Sequence, residues 1–383
     1  MILLLGIVSA FGDITYETAR SVSGPYLLLL GAGAGVVGAV SGLGELLGYG
    51  LRLASGYLVD RTKAYWLATF IGYGMLLCVP LLAFAGRWET AALLLILERV
   101  GKAVRSPARD TILSHAARQT GRGWGFGLHE ALDQIGAVAG PLIFAAVFAV
   151  RSSYRDGFSI LWIPALLTLV ALVVAYRREP SPERLETPTA ASPQPTGLTR
   201  TYWLYAGFAF LSVAGFAAFP LLAYHWITRQ IVMPGLIPVL YAGAMGVDAL
   251  AALAVGKAYD RIGMRALVII PFMTLPVPFL GFSNNLVLIV AGLALWGVVM
   301  AVHETVLRAA IADLTQTGKR GMAYGIFNTI YGAAWFTGGA LMGLLYERSL
   351  GLLLGFAAVC QVLAFGVYLF LRRDLPAAPA REP

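Results

Sequence analysis

Apolar positions run along this chain in blocks of about twenty residues, parted by short polar or glycine-bearing breaks, and no block alternates at the strand period of two. A helix of about that length crosses the roughly 30 Å hydrocarbon core of a bilayer. A backbone in hydrocarbon must satisfy its own hydrogen bonds, which a helix does internally. The blocks predict spans at 2–22, 33–58, 65–86, 89–116, 123–149 and 157–176, then at 202–228, 233–257, 266–284, 286–312, 321–346 and 350–371. The expected fold class is all-α integral membrane, with twelve transmembrane helices in two pseudo-symmetric six-helix bundles.

The longest break, 177–200, is rich in Pro, Ser, Thr and charge and has too little apolar surface to bury a core. The expected division is therefore an N-terminal bundle 1–176, a linker 177–200, a C-terminal bundle 201–371 and a tail 372–383. With residue 1 in the cytoplasm, alternate loops, the linker and the tail hold sixteen Lys and Arg. The other loops hold five: Arg87, Arg151, Arg155, Arg229 and Arg348. That excess predicts both termini and the linker on the cytoplasmic side of the cell membrane. No basic stretch precedes residues 2–11, and Asp13 and Glu17 follow directly, so the first span reads as retained rather than cleaved.

Composition agrees with the pattern. Hydrophobic residues make up 58% and charged residues 13%, against about 25% charged in soluble domains. The net charge of +8 lies in the loops, so a nucleic-acid partner is not expected; the lipid bilayer is. Cys78 and Cys360 sit in apolar runs without metal or disulfide spacing. The glycine-rich stretch 31–40 lacks the Lys-Ser/Thr ending of a phosphate loop, which leaves an ATP-driven pump unsupported. It suits a tight turn and close helix packing instead. No nucleophile–base motif suggests an enzyme, and no cofactor or metal is expected.

A charge at the bilayer centre costs about 2.5–3.5 kcal/mol even on the lenient scale, so the places where charges sit are informative. The third, sixth, ninth and twelfth spans have none, which predicts an outer set facing lipid and an inner set around a cavity. Asp13, Glu17 and Arg20 share one face of the first span. Glu45 and Arg52 share one of the second, and Glu98, Lys102, Arg105 and Arg109 stack along the fourth beside Arg99 and Asp110. The fifth carries His129, Glu130 and Asp133, and the tenth His303, Glu304 and Arg308. Arg52, Arg109 and Arg308 are read as structural ion-pair partners. Asp13, Glu17, Glu98, His129, Glu130 and Asp133 are read as coupling or substrate groups, because acids there outnumber nearby bases and such groups pick up and release protons. Lys102 fits a counter-ion or a substrate contact. His225, Asp248 and His303 are too isolated to decide. His with a carboxylate also ligates first-row metals, but the spacing here is that of ordinary helical pairs.

The halves repeat. Gly56, Asp60 and Arg61 recur as Gly256, Asp260 and Arg261, Arg109 and Ile112 as Arg308 and Ile311, and Gly140 as Gly338. Parallel halves of this kind place a site at their interface. The chain resembles the major facilitator superfamily over nearly its whole length. The first repeat matches that family's signature between the second and third spans at Gly56, Asp60 and Arg61, with Lys63 in place of a glycine; the second keeps Gly263 and Arg265 as well. The resemblance implies a gate in which Asp60 sits against the start of the eleventh helix near Gly321, where a helix N-terminus favours a carboxylate. In the fourth span Leu95 and Arg99 match a family motif whose glutamine and glycine are here Lys102 and Ala103. In the fifth, Gly127, Gly136 and Gly140-Pro141 resemble the antiporter signature of drug-efflux branches, with its closing glycines replaced by Phe144 and Ala145.

Together these features predict a secondary active transporter, a proton-coupled antiporter exporting a small polar or amphipathic solute by alternating access. The alternative is proton-coupled symport of an organic anion or metal complex, drawn to Lys102 and Arg105. A non-transporting sensor would need a larger soluble region than the linker supplies. By analogy with the family the expected state is a monomer.

Overall fold

The computed structural model describes residues 1–116, 122–180, 198–315 and 320–374, without the side chains of 114, 115, 122–128, 260, 312, 320 and 321. Most of the linker and tail thus lie outside the described residues, as do the side chain of Asp260 and the surroundings of Gly127. Twelve helical rods follow one another, and no strand occurs among the described residues. They are α1 Ile2–Leu29, α2 Ala34–Thr62, α3 Tyr65–Phe84, α4 Trp88–Ala116, α5 Arg122–Arg151 and α6 Tyr154–Arg178. The second six are α7 Arg200–Thr228, α8 Ile237–Ile262, α9 Gly263–Gly281, α10 Leu286–Leu314, α11 Arg320–Arg348 and α12 Leu350–Leu371.

Ten of the rods contain a window apolar enough to cross a membrane. The exceptions are α4, which carries the stripe of charge, and α11, diluted by glycines and by polar residues such as Asn328 and Thr329. Both are buried among neighbours that supply what lipid would not. α3, α6, α9 and α12 instead expose large apolar side chains, among them Leu67, Ile163, Phe272 and Val362. These four rods form the outside of the bundle.

Alternation of the rods puts residues 1, 63–64, 178–180, 198–200 and 262–263 at one end of the bundle, called here the linker face. The turns after α2 and α8 share a backbone requirement. Lys63 has φ 56° and Gly263 φ 59°. Glycine adopts positive φ freely, whereas a residue with a Cβ is strained there by about 1–2 kcal/mol.

The halves meet closely toward the opposite face. α2 and α11 run side by side, and a Cβ on Gly38 would strike the carbonyl of Gly339. Gly24 of α1 lies against the Pro220 carbonyl of α7 in the same way. Small residues let backbones approach where lipid supplies no hydrophobic drive between helices. At the outer end of the seam the Gly35 N–H donates to Glu347 Oε1 at 2.8 Å. Toward the linker face side chains take over the contact, with the Tyr49 and Tyr331 rings 4.9 Å apart and Leu53 over Gly325.

Candidate functional site

Between the halves lies a polar cavity of about 140 Å³. Its walls come from α1 (Asp13, Tyr16, Glu17, Arg20), α2 (Tyr49, Arg52), α4 (Lys102, Arg105, Ser106, Arg109, Asp110) and α5 (Glu130, Asp133, Gln134, Ala137). The second half adds Met245 and Asp248 from α8 and Met300, Glu304 and Arg308 from α10. No residue of α3, α6, α9 or α12 takes part. The helical spacing explains the grouping: Asp13, Glu17 and Arg20 present one face of α1, as Lys102, Arg105 and Arg109 do on α4.

Toward the linker face a vestibule of about 490 Å³ is lined by Gly56, Asp60, Tyr324, Gly325 and Asn328. Arg52, Ser106, Asp110 and Arg308 line both spaces. Toward the opposite face a pocket of about 50 Å³ is bordered by Glu45, Glu98, Arg99, Phe219 and Trp335. Beyond it the backbone contacts of Gly24 and Gly38 close the path. The interior is therefore joined to the linker face and shut from the other.

A chain of ion pairs crosses the first half. Arg20 lies 3.8 Å from Glu17 and 3.5 Å from Glu45. Arg99 lies 3.6 Å from Glu45 and 3.4 Å from Glu98, and Arg105 lies 3.6 Å from Glu98. Glu98 and Arg105 are 3% and 2% exposed, so each needs the other: an unpaired charge at that depth costs several kcal/mol. Glu45, Glu98 and Arg99, expected in the cavity, border the adjoining pocket and hold α1, α2 and α4 together. The i, i+4 rows of α4 and α2 wind from one space into the next, which sequence spacing does not reveal.

Arg109 pairs with Asp110 at 2.9 Å and Asp133 at 3.9 Å, as its ion-pair reading required. Arg52 and Arg308 do not. Among the described residues no carboxylate lies within 4.0 Å of either. Arg52 Nε donates to its own helix at Gly48 O, 2.9 Å, and its guanidinium lies 4.5 Å from the Tyr49 ring centroid. Glu304 and Arg308, one turn apart, both face the open cavity rather than clasp each other. The structural ion-pair reading is corrected for these two arginines.

His129 pairs with Asp133 as its i, i+4 spacing predicted, but neither His129 nor His303 is among the cavity-lining residues. His129 turns away from the cavity toward α1, its Nε2 2.9 Å from Ser9 Oγ and its Nδ1 3.5 Å from Asp133. His303, 2% exposed, meets Phe216 and Tyr331 edge-on, and neither ring nitrogen has a hydrogen-bond partner among the described residues. Its place in a cage of aromatic rings is set by tertiary packing, invisible in the pair His303-Glu304. Glu130, in contrast, is exposed into the cavity.

Asp60 is exposed along the vestibule and makes no hydrogen bond or ion pair among the described residues. The expected partner, the start of α11 near Gly321, borders on residues outside the described ones; a carboxylate-to-helix-start contact does occur at the other end of the same helix pair, between Glu347 and Gly35. Arg61, Gly256 and Arg261 lie on the last turns of α2 and α8. Gly136 and Gly140 press α5 onto α1, at the carbonyls of Ala10 and Ile14, and Pro141 follows in the same helix. That is a contact within one half, and Gly338 repeats it in the other against Ala214.

The pattern missed several cavity residues. Tyr241 of α8 donates a hydrogen bond to Glu17 of α1 across the halves. Gln134 of α5 donates to Asp248 of α8 at 3.4 Å. Tyr16 accepts from Lys102 and stacks under it. Only Asp248 carried a usable signal, as a lone acid in an apolar span. The tyrosines had none.

A family model described as Major Facilitator Superfamily matches the chain at residues 3–233 and 204–383. An uncharacterized protein of Mycobacterium tuberculosis is 42% identical over 384 residues, covering 98% of this chain and 94% of its own. An uncharacterized MFS-type transporter of Methanocaldococcus jannaschii is 25% identical over 381 residues, covering 96% and 94%. Among solved structures, the nucleoside transporter NupG superposes with a TM-score of 0.74 at 15% identity, over 97% of this chain and 99% of that one. A bacterial homologue of the human lysosomal transporter Spinster, inward-facing and occupied, gives 0.73 at 13% identity, over 99% and 98%. At these identities the superpositions speak for the fold alone.

Proposed function

The chain belongs to the major facilitator superfamily, and from that premise we propose that this membrane transporter exchanges protons for a small polar or amphipathic solute, moving the solute outward. The observation that carries this is the central cavity. Both halves wall it with carboxylates, Asp13, Glu17 and Asp133 from one and Asp248 and Glu304 from the other, and it opens toward one face only. A site so placed is offered to each side in turn when the halves rock, as family members do by alternating access.

Solute and protons compete for the same carboxylates. With the cavity joined to the linker face, a solute displaces protons from Asp133 and Asp13. After reorientation, protonation from the other side releases the solute. Glu17 is tied to Tyr241 of the second half, so its proton state bears on how firmly the halves hold together. The reading places the linker face in the cytoplasm, on the strength of the Lys and Arg excess there, and the protein in the cell membrane as a monomer. The half boundaries at 176 and 201 are part of the same proposal.

Inverted vesicles containing the protein test it, with an imposed pH gradient and a set of candidate solutes. Proton efflux on solute addition is expected, and Asp133→Asn is expected to abolish it while sparing solute exchange. Solute movement indifferent to the gradient in both proteins would reject proton coupling. The cationic side chains Lys102, Arg105 and Arg109 in the same wall favour a second reading, proton-coupled uptake of an organic anion or metal complex. Net flux direction in whole cells, with and without a protonophore, separates the two.

A further inference from the structure

We propose that Arg52 and Arg308 form an anion-binding neck between the cavity and the vestibule, gripping the carboxylate or phosphate group of the transported solute from both halves at once. The inference rests on reading the central cavity as the transport site and deepens the second reading above, since an anion held here favours protonated rather than bare carboxylates around it. Four side chains line both spaces: Arg52, Ser106 and Asp110 of the first half and Arg308 of the second. Anything passing from one space to the other passes them.

Charge bookkeeping sets the two arginines apart. Each other arginine of the cavity already has a carboxylate: Arg20 has Glu17 and Glu45, Arg105 has Glu98, and Arg109 has Asp110. Asp110, the one acid at the neck, is held in a fork by Arg109, with Nε at 3.0 Å and Nη2 at 2.9 Å. The other acids lining the two spaces are Asp13, Glu17, Glu130, Asp133, Asp248 and Glu304 in the cavity and Asp60 in the vestibule, and among the described residues none is within 4.0 Å of Arg52 or Arg308. The neck therefore holds two guanidinium groups that no carboxylate among the described residues pairs directly.

The geometry suits a planar or tetrahedral oxyanion. Arg52 is braced by Gly48 O through Nε and by the Tyr49 ring, which leaves its two terminal nitrogens free to point at a ligand. A guanidinium fork matches carboxylate and phosphate oxygens two at a time. Because Arg52 and Arg308 belong to different halves, they repel when empty and are bridged when an anion sits between them. Loading thus favours approach of the halves at the linker face, so the solute itself drives closure behind it.

Equilibrium binding to the full chain in detergent tests this without any proton gradient. Thermal unfolding is followed with inorganic phosphate and with succinate, against chloride at equal ionic strength. Saturable stabilisation by at least one is expected, and the two arms tell a phosphate-bearing from a carboxylate-bearing solute. Arg52→Gln and Arg308→Gln should each weaken the response about tenfold or more, as loss of a charged hydrogen-bond partner does. Arg52→Lys and Arg308→Lys, which keep charge but lose the fork, guard against misfolding of the Gln variants and should give intermediate values. No stabilisation by either anion, or equal stabilisation in wild type and all variants, overturns the proposal. That result leaves proton exchange standing, and failure of pH-driven flux in vesicles leaves anion binding standing.

Discussion

Glu347, on the last turn of α11, accepts a 2.8 Å hydrogen bond from the backbone N–H of Gly35, on the first turn of α2. A carboxylate at a helix start gains from both the free N–H and the helix dipole, together about 0.3–2 kcal/mol. The bond joins the two halves where they are shut. Asp60, at the far end of α2, faces the open vestibule.

Removing that bond should tip the balance between the two open states. Glu347→Ala is expected to raise the population open toward the opposite face roughly fivefold, for a loss of about 1 kcal/mol. Labelling of a cysteine placed at Val36, from the side opposite the linker, reads the change. Unaltered labelling would mean that Glu347 is no latch.

Gly38 gives a steeper effect on the same closure. A Cβ there meets the Gly339 carbonyl, so Gly38→Val should hold the seam apart and prevent the state described here. Distance measurements between spin labels on α2 and α11 are expected to lengthen at the outer end, with transport lost and solute binding retained from the opposite side only. Normal transport by Gly38→Val would contradict the seam.

The tie between Tyr241 and Glu17, which lines the cavity, crosses the halves. A hydrogen bond to a charged group is worth about 1.5–3 kcal/mol. Tyr241→Phe should therefore change the rate of reorientation by about tenfold or more while leaving the fold intact. Comparing solute exchange with net pH-driven flux detects it, since only the empty or protonated return step relies on that bond. Equal effects on both would make Tyr241 a plain packing residue.

Glu98 and Arg105 form a buried pair, and breaking one member should cost about 3–5 kcal/mol. Glu98→Ala is expected to lower the melting temperature sharply in detergent. Glu98→Leu with Arg105→Met, which removes both charges, should recover most of it. If Glu98→Gln folds normally and loses only proton coupling, the structural assignment of Glu98 fails.

His303 offers the reverse case. Its two unpartnered ring nitrogens are buried among aromatic side chains, at a cost of about 1–3 kcal/mol for an unsatisfied polar group. His303→Phe should preserve transport and raise thermal stability. Loss of pH-dependent flux in that variant would return His303 to the mechanism.

Much of the fold could be read from spacing, because bilayer thickness imposes one length on every rod and charge is too costly to leave on the outside. Asp13, Glu17 and Arg20 were legible as a cavity face for the same reason. What spacing did not carry was depth and partner. Glu98 and Lys102 lie on one stripe of α4, yet one borders the outer pocket and the other the central cavity. Arg52 looked like half of an ion pair with Glu45, whereas Glu45 is taken by Arg20 and Arg99. Such competition between partners from other helices leaves no local trace. Tyr241 and Gln134 matter only because another helix brings a carboxylate to them.

α2 runs from Ala34 to Thr62 as a single helix with no proline, and from Gly35 to Asp60 it measures about 38 Å at 1.5 Å per residue. Pressed to α11 near its middle, at Leu46 and Gly332, it works as a stiff lever over a fulcrum. A tilt of about 10° moves each end by roughly 3 Å in opposite directions, enough to break one hydrogen bond and make another. In such a tilt one rod opens at one end as it closes at the other.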